Sequence, residues 1–226
     1  MPKLYLSQAN QGHNAGPLGY TEKAGMDAII HALLREFASD PRFTVKHALA
    51  GDRIDTATEN CDEANRWGAD YYVALHSNAG GVGARGTIGF YHSRSPKGKA
   101  LCAAIVKALA PLSPGADHGI QTKDGFIEVH RPNAPSCLIE LEAHDWKIGV
   151  EWLVGKRPLI ARALYEGICE GVGLEPKNGV VDYRHLKKAA LAIAKKLGLP
   201  TTGVNGNVVG KGPAFEALLR AIADHK

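Results

Sequence analysis

No stretch of the chain is both long and apolar. A membrane-spanning helix needs about 18 to 20 consecutive apolar residues, and no such run occurs in the 226 residues, so no membrane span is expected. The opening MPKLYLSQ has neither an apolar signal core nor a small-residue cleavage site. No secretory signal is readable there, and the expectation is a protein made and kept in a cytoplasm. Cysteine is sparse. Cys61, Cys102, Cys137 and Cys169 are far apart, in apolar contexts and without a CxxC pair. That excludes a thiolate zinc site and argues for small buried thiols over a disulfide framework. Charge of one sign is also scarce. The net charge is +4, and basic residues cluster only at Lys187-Lys188 and Lys195-Lys196. A nucleic-acid binder shows a concentrated basic stripe with interleaved aromatics, and none is present. The weak positive charge is compatible with an anionic polymer such as a bacterial wall. There is no HExxH helix, internal repeat or low-complexity segment.

What is plentiful is glycine, 26 residues, against 45% hydrophobic and 22% charged residues, a composition suited to many tight strand-to-helix turns. Apolar runs at 4–7, 43–49, 70–75, 87–91 and 136–141 read as strands. The run 70–75 is apolar without alternation, the pattern of a strand buried on both faces. Between the strands, helical spacing recurs. Thr21 is placed to cap a helix carrying Met26, Ile29, Ile30, Leu33, Leu34 and Phe37, which Asp40-Pro41 ends. A second helix follows from Ile54 to Trp67, a third over 96–109, and helical pattern with a break near 155–158 fills 146–174. Residues 119–133 read as irregular strand and loop. This alternation predicts an α/β fold: a mostly parallel, twisted sheet of five to six strands with helices on both faces.

Two domains are expected: a main one over 1–175 and, after the linker EPKNG, a small helical one over 180–226. In the second, Leu186, Ala189, Ala190, Ile193 and Leu197 form one amphipathic stripe, and Phe215, Leu218, Leu219 and Ile222 another. Two such helices are marginal alone. They are expected to dock on the main domain, on a second copy (a homo-oligomer) or on an external ligand.

The chain is organised around the stretch 8–22, QANQGHNAGPLGYTE. It links a strand end to a helix start and carries His13. The strand 70–75 runs into His76, and the strand 136–141 carries Glu140. Open α/β sheets bind ligands at the carboxyl ends of their strands. Of ten histidines, His13 and His76 stand apart because each follows a hydrophobic strand and is flanked by Gly or Asn. His31, His47, His92, His185 and His225 read as ordinary surface or core residues. Glu22 opens a helix, where the macrodipole favours its ionised form. Two imidazoles and a carboxylate make a familiar catalytic zinc set with one open position. Glu140 suits a proton-accepting role, since a carboxylate ending a buried apolar strand needs a reason to be there. Glu142, two residues on and on the same face, is the rival.

The motifs NQGHNAG, TEKAGM, DRIDTATENCDEANRWGAD, YYVALHSNA, GTIGFYH and PSCLIELEAHD, in that order, resemble the zinc-dependent N-acetylmuramoyl-L-alanine amidases of the amidase-3 type, found in bacterial wall-remodelling enzymes and phage endolysins. The resemblance spans residues 3–174. It implies that His13, Glu22 and His76 bind one Zn2+ and that Glu140 is the catalytic carboxylate. The reaction implied is hydrolysis of the amide between the lactyl group of N-acetylmuramic acid and the first L-alanine of the stem peptide, with peptidoglycan as the partner. Asn78, within His-Ser-Asn, is a substrate contact or a loop cap through its amide.

Three departures from the family pattern bear on these expectations. Asn10-Gln11 replaces an acidic Asp-Pro before the Gly-His. LEAHD follows the catalytic strand, so that Glu142 or His144 is an auxiliary at the site. No export signal precedes the domain, which suits release through a holin pore or mother-cell lysis, with 180–226 as a wall-binding or oligomerising appendage. His130 and Arg131 sit in a loop that either meets a peptide carboxylate or is solvated, and Arg53 is expected to tie a loop to the sheet. The alternatives are an inactive peptidoglycan-binding module and a zinc peptidase acting on other peptides.

Overall fold

The computed structural model describes residues 1–11, 13–48 and 56–177. The chain divides into two units, Met1–Gly179 and Val180–Lys226. The two amphipathic stripes expected in the second unit, and Arg53, lie outside the described residues.

Six strands, β1 (Lys3–Gln8), β2 (Thr44–His47), β3 (Tyr71–Asn78), β4 (Gly86–Tyr91), β5 (Ala116–Thr122) and β6 (Ser136–Ala143), form one sheet in the order β2-β1-β3-β6-β4-β5. All neighbours are parallel except β4 and β6, which run antiparallel. The helices are α1 (Glu22–Ala38), α2 (Ala57–Trp67), α3 (Pro96–Leu109), the single turn α4 (Ile127–His130), α5 (Lys147–Gly155) and α6 (Arg157–Gly171).

Strand alternation sorts the side chains into two cores, because successive residues of a strand face opposite sides of the sheet. Leu4, Leu6, Val73, Leu75, Cys137 and Ile139 pack with α1, α3 and α6. Tyr5, Tyr72, Ala74 and Leu138 pack on the other face with Cys61 and Ala64 of α2 and Val129 of α4. Tyr72 through Leu75 are fully buried, as a strand covered on both faces must be. All four cysteines are buried free thiols.

The helix boundaries follow local chemistry. Thr21 caps α1 by accepting the Ala24 N–H. Thr56 and Glu59 form a reciprocal capping box on α2, and Gly68, in the left-handed region, ends it. The break expected near 155–158 separates α5 from α6. The expected strand over 43–49 is shorter, Thr44–His47, and the irregular segment 119–133 resolves into the end of β5 and the turn α4.

Past the end of α1, Asp40 is buried and accepts hydrogen bonds from Arg42 (2.8 and 2.7 Å) and the Tyr165 hydroxyl (2.8 Å), with Lys177 Nζ at 3.3 Å. The Arg42 guanidinium, against the cost of burial, holds the Asp40 carboxyl well below the usual carboxylate range. A depressed folded-state pKa contributes stability that is complete above the unfolded value, about 3.9, and is lost as pH falls through the folded value. Asp40→Asn is therefore expected to lower unfolding stability by about 2 kcal/mol at pH 7. Urea titrations of both proteins should show that gap shrinking below about pH 4. A gap independent of pH would show that the charge is not what Asp40 contributes.

Candidate functional site

The parallel order β1-β3-β6 sets three carboxyl strand ends side by side. Gln8 pairs with Leu75, and His76 pairs with Glu140. From β1 the chain turns back over this edge. The Ala9 N–H bonds Leu75 O (2.9 Å), the Gly16 N–H bonds Tyr20 O (2.9 Å), and the Glu22 N–H bonds Asn14 O (2.9 Å). The loop lies so close on the end of β6 that a Cβ on Gly16 would stand 2.0 Å from the His144 carbonyl oxygen. Only glycine allows that approach. The result places Glu22, the first residue of α1, under the sheet edge at 2% exposure, where the helix N-terminus favours its charge.

Around His76 a buried polar cluster forms. Its Nδ1 lies 3.2 Å from Glu22 Oε1 and its Nε2 lies 2.8 Å from Glu128 Oε2. Glu22 also accepts the Ser77 N–H (3.1 Å) and the Asn14 amide (2.6 Å). Glu128 Oε1 accepts the hydroxyls of Ser7 (2.5 Å) and Tyr72 (2.7 Å), and the Asn60 amide donates to Ser7 Oγ (3.1 Å). Glu140 Oε2 is buried with no hydrogen-bond partner among the described residues.

The electrostatics follow from this crowding. Burial alone would lower the His76 pKa, but the hydrogen bonds to Glu128 and Glu22 outweigh it and hold it well above the usual imidazole value. Burial likewise opposes ionisation of Glu22 and Glu128, and His76 overrides it in both, keeping them below the usual carboxylate range. Glu140 has no such compensation. Burial pushes it up to about 7, with His76 pulling it down and the charges of Glu22 and Glu128 pushing it up further.

Two carboxylates thus share one imidazole with a third, Glu140, on the neighbouring strand, and even a protonated His76 leaves the cluster with surplus negative charge in a desolvated place. Buried charge of that kind is paired or coordinates a metal. Two ligands of one tetrahedral zinc, each at about 2.0–2.2 Å, stand roughly 3.3 Å apart, close to the separation of His76 Nδ1 and Glu22 Oε1. In charge and in this pair the residues fit a divalent cation. The third expected ligand, His13, is exposed, one residue before the Asn14 that holds Glu22. Among the described residues no group of three His, Cys, Asp or Glu side chains is gathered at metal-holding distance. The structure therefore brings Glu22, His76 and Glu140 together and leaves His13 at the lip of the same loop.

The other residues singled out from sequence have defined places. Glu142, expected to share a face with Glu140, is instead fully buried against backbone. It accepts the N–H groups of Gly86 (2.6 Å), Ala143 (2.7 Å) and Gly115 (3.0 Å) and the Ser113 hydroxyl (2.5 Å). The cause is a bulge: between the pairs His76–Glu140 and Asn78–Ala143, β3 advances two residues and β6 three. His144 is buried behind Ser77, its Nδ1 2.6 Å from Ser77 O and 3.0 Å from Ser77 Oγ, with its ring stacked on Tyr20. The Asn78 side-chain oxygen accepts the Ala79 N–H (2.8 Å). Arg131 forms a two-pronged pair with Asp62 (2.8 and 2.9 Å). Sequence reasoning passed over Glu128. Its only local signal is a lone carboxylate between Ile127 and Val129, in a segment read as loop.

Comparison with known proteins places this arrangement. The family model described as N-acetylmuramoyl-L-alanine amidase, amidase-3, matches residues 6–170. No curated protein matches the chain. Among solved structures, the catalytic domain of CwlV, an N-acetylmuramoyl-L-alanine amidase from Bacillus (Paenibacillus) polymyxa var. colistinus, is similar with a TM-score of 0.70. It is 20% identical, over 77% of this chain and 100% of that one. The amidase Ami1 from Mycobacterium smegmatis is similar with a TM-score of 0.67 at 16% identity, covering 76% and 97% of the two chains. The catalytic domain of the CD27L endolysin targeting Clostridia difficile has a TM-score of 0.64 at 17% identity, covering 78% and 100%. At these identities the structures speak for the fold; the family pattern itself runs from β1 into α6, through every strand of the sheet, taking in helix α1 that opens on Glu22 and strand β3 that carries His76, and on it the chain belongs to the N-acetylmuramoyl-L-alanine amidases of the amidase-3 type.

Proposed function

We propose that this chain is a zinc-dependent hydrolase of peptidoglycan that cleaves the amide between the lactyl group of N-acetylmuramic acid and the L-alanine of the stem peptide. The observation that carries the reading is the convergence of Glu22, His76 and Glu140 at one sheet edge, with one carboxylate oxygen of Glu140 buried and unpartnered. Glu22 and His76, with His13 from the adjoining loop, would hold the ion. Bound there, zinc supplies the Lewis acid that polarises the scissile carbonyl and lowers the pKa of water to about 7. Glu140 takes the proton of the attacking water and delivers it to the leaving nitrogen, so the carboxylate ends the cycle as it began. Ser77 N–H and Asn14 keep the Glu22 carboxylate aimed, and His144 braces the Ser77 backbone from behind.

Purified bacterial walls incubated with the protein should yield new lactyl carboxyls and new L-alanine amino termini, in equal number, by mass analysis. A chelator should stop their appearance and added zinc should restore it. New termini inside the stem peptide would point to a zinc peptidase instead. Binding to walls with no new termini would point to a module without activity.

A further inference from the structure

We infer that Glu128 is the positioning carboxylate of His76, fixing which ring nitrogen faces the ion; this rests on the zinc reading above. Glu128 belongs to the single turn α4, 52 residues beyond His76 in the chain, and is 4% exposed. Both hydroxyls that reach it, from Ser7 on β1 and Tyr72 on β3, donate to Oε1, leaving Oε2 for His76 Nε2. Those hydroxyls are themselves held. Tyr72 stacks flat on Tyr5 at 5.5 Å, and Asn60 of α2 donates to Ser7.

An ionised carboxylate is acceptor-only, so His76 must present an N–H to it at Nε2. When a cation takes the place of the other proton, the lone pair of Nδ1 is left pointing to the side where Glu22 lies. Carboxylates behind metal-bound histidines set tautomer and ring orientation in this way. Helix α4 otherwise has little reason to bury an acidic side chain, since Val129 beside it already anchors the turn in the core formed by Tyr5, Ala64 and Leu138.

Glu128→Gln separates positioning from packing. The amide keeps the shape, but its oxygen is claimed by the Ser7 and Tyr72 hydroxyls, which turns the NH2 toward His76. That favours Nε2 as acceptor and puts the ring proton on Nδ1, where the ion should be. Zinc affinity, measured by competition with a chromogenic chelator at pH 7.5, should weaken about 10- to 100-fold. The zinc-free variant loses the buried pair between Glu128 and His76 and should melt lower than the wild type, yet still in one cooperative transition, so that zinc affinity is read on folded protein. Wild-type protein that holds zinc while the variant holds it equally well overturns the role of Glu128 and leaves the zinc reading standing. Wild-type protein that takes up no zinc overturns both. If Glu128→Gln does not fold, Ser7→Ala, which frees one side of the carboxylate and touches no ion, gives the same readout. It should weaken zinc several-fold, and unchanged affinity would overturn the inference.

Discussion

Glu140→Gln is expected to slow release of stem peptides from purified walls by about 10³-fold while one zinc per chain stays bound. The substitution is isosteric and removes the ability to take a proton together with the carboxylate's charge. Structure gives no reason for collateral damage: Glu140 Oε2 has no hydrogen bond to lose, and the neighbouring carboxylates Glu22 and Glu128 repel its charge. The melting temperature should therefore hold or rise. Rate, zinc content and melting temperature together make the test discriminating. A variant with wild-type turnover would remove Glu140 from the chemistry, and one that had lost its zinc would make it a ligand in place of a base.

The contrasting variant is Glu142→Gln, two residues away. Here the expected effect is on folding, a loss of about 3–5 kcal/mol measured by urea unfolding. Each oxygen of Glu142 receives two donors: the N–H groups of Gly86 and Ala143 on one, the Ser113 hydroxyl and the Gly115 N–H on the other. An amide offers one oxygen, and its NH2 must face donors on the other side. Ser113 can rotate away, but a glycine N–H cannot. Gly86 has no room to retreat either, since φ is 124° and a Cβ there would stand 1.9 Å from Ala116 O. Buried donors left unpaired carry the full desolvation cost. Turnover per folded molecule should be unchanged at low temperature. Loss of turnover from a variant with wild-type stability would reverse the roles assigned to the two glutamates.

The comparison of these two residues shows where reading from sequence ends. Alternation along an extended strand places residues two apart on the same face, and on that rule Glu142 rivals Glu140. The rule fails here because β6 carries an extra residue between its pairings with His76 and Asn78, and nothing local in LIELEAHD announces a bulge. The antiparallel seating of β4 beside β6 is likewise a matter of which edges meet, not of strand composition. Glu128 was missed for a related reason. A turn of four residues has no periodicity to read, and its partners Ser7, Tyr72 and His76 lie 121, 56 and 52 positions away.

By itself the sequence determined the mostly parallel α/β architecture, because apolar runs and 3- and 4-residue spacings are local signals that burial on two faces demands. It also determined the places of His76 and Glu140 near strand ends and of Glu22 at a helix start, since a polar group closing a buried strand, or following a capping Thr, is visible as such. Only the tertiary structure decided which of those groups meet. Contacts across β1, β3 and β6 made Glu128 a partner of His76, gave Glu142 to the backbone of Gly86 and Gly115, and left His13 on the exposed side of its loop. Registers, bulges and the packing of distant turns are set by the whole sheet closing at once, and no window of the chain carries them.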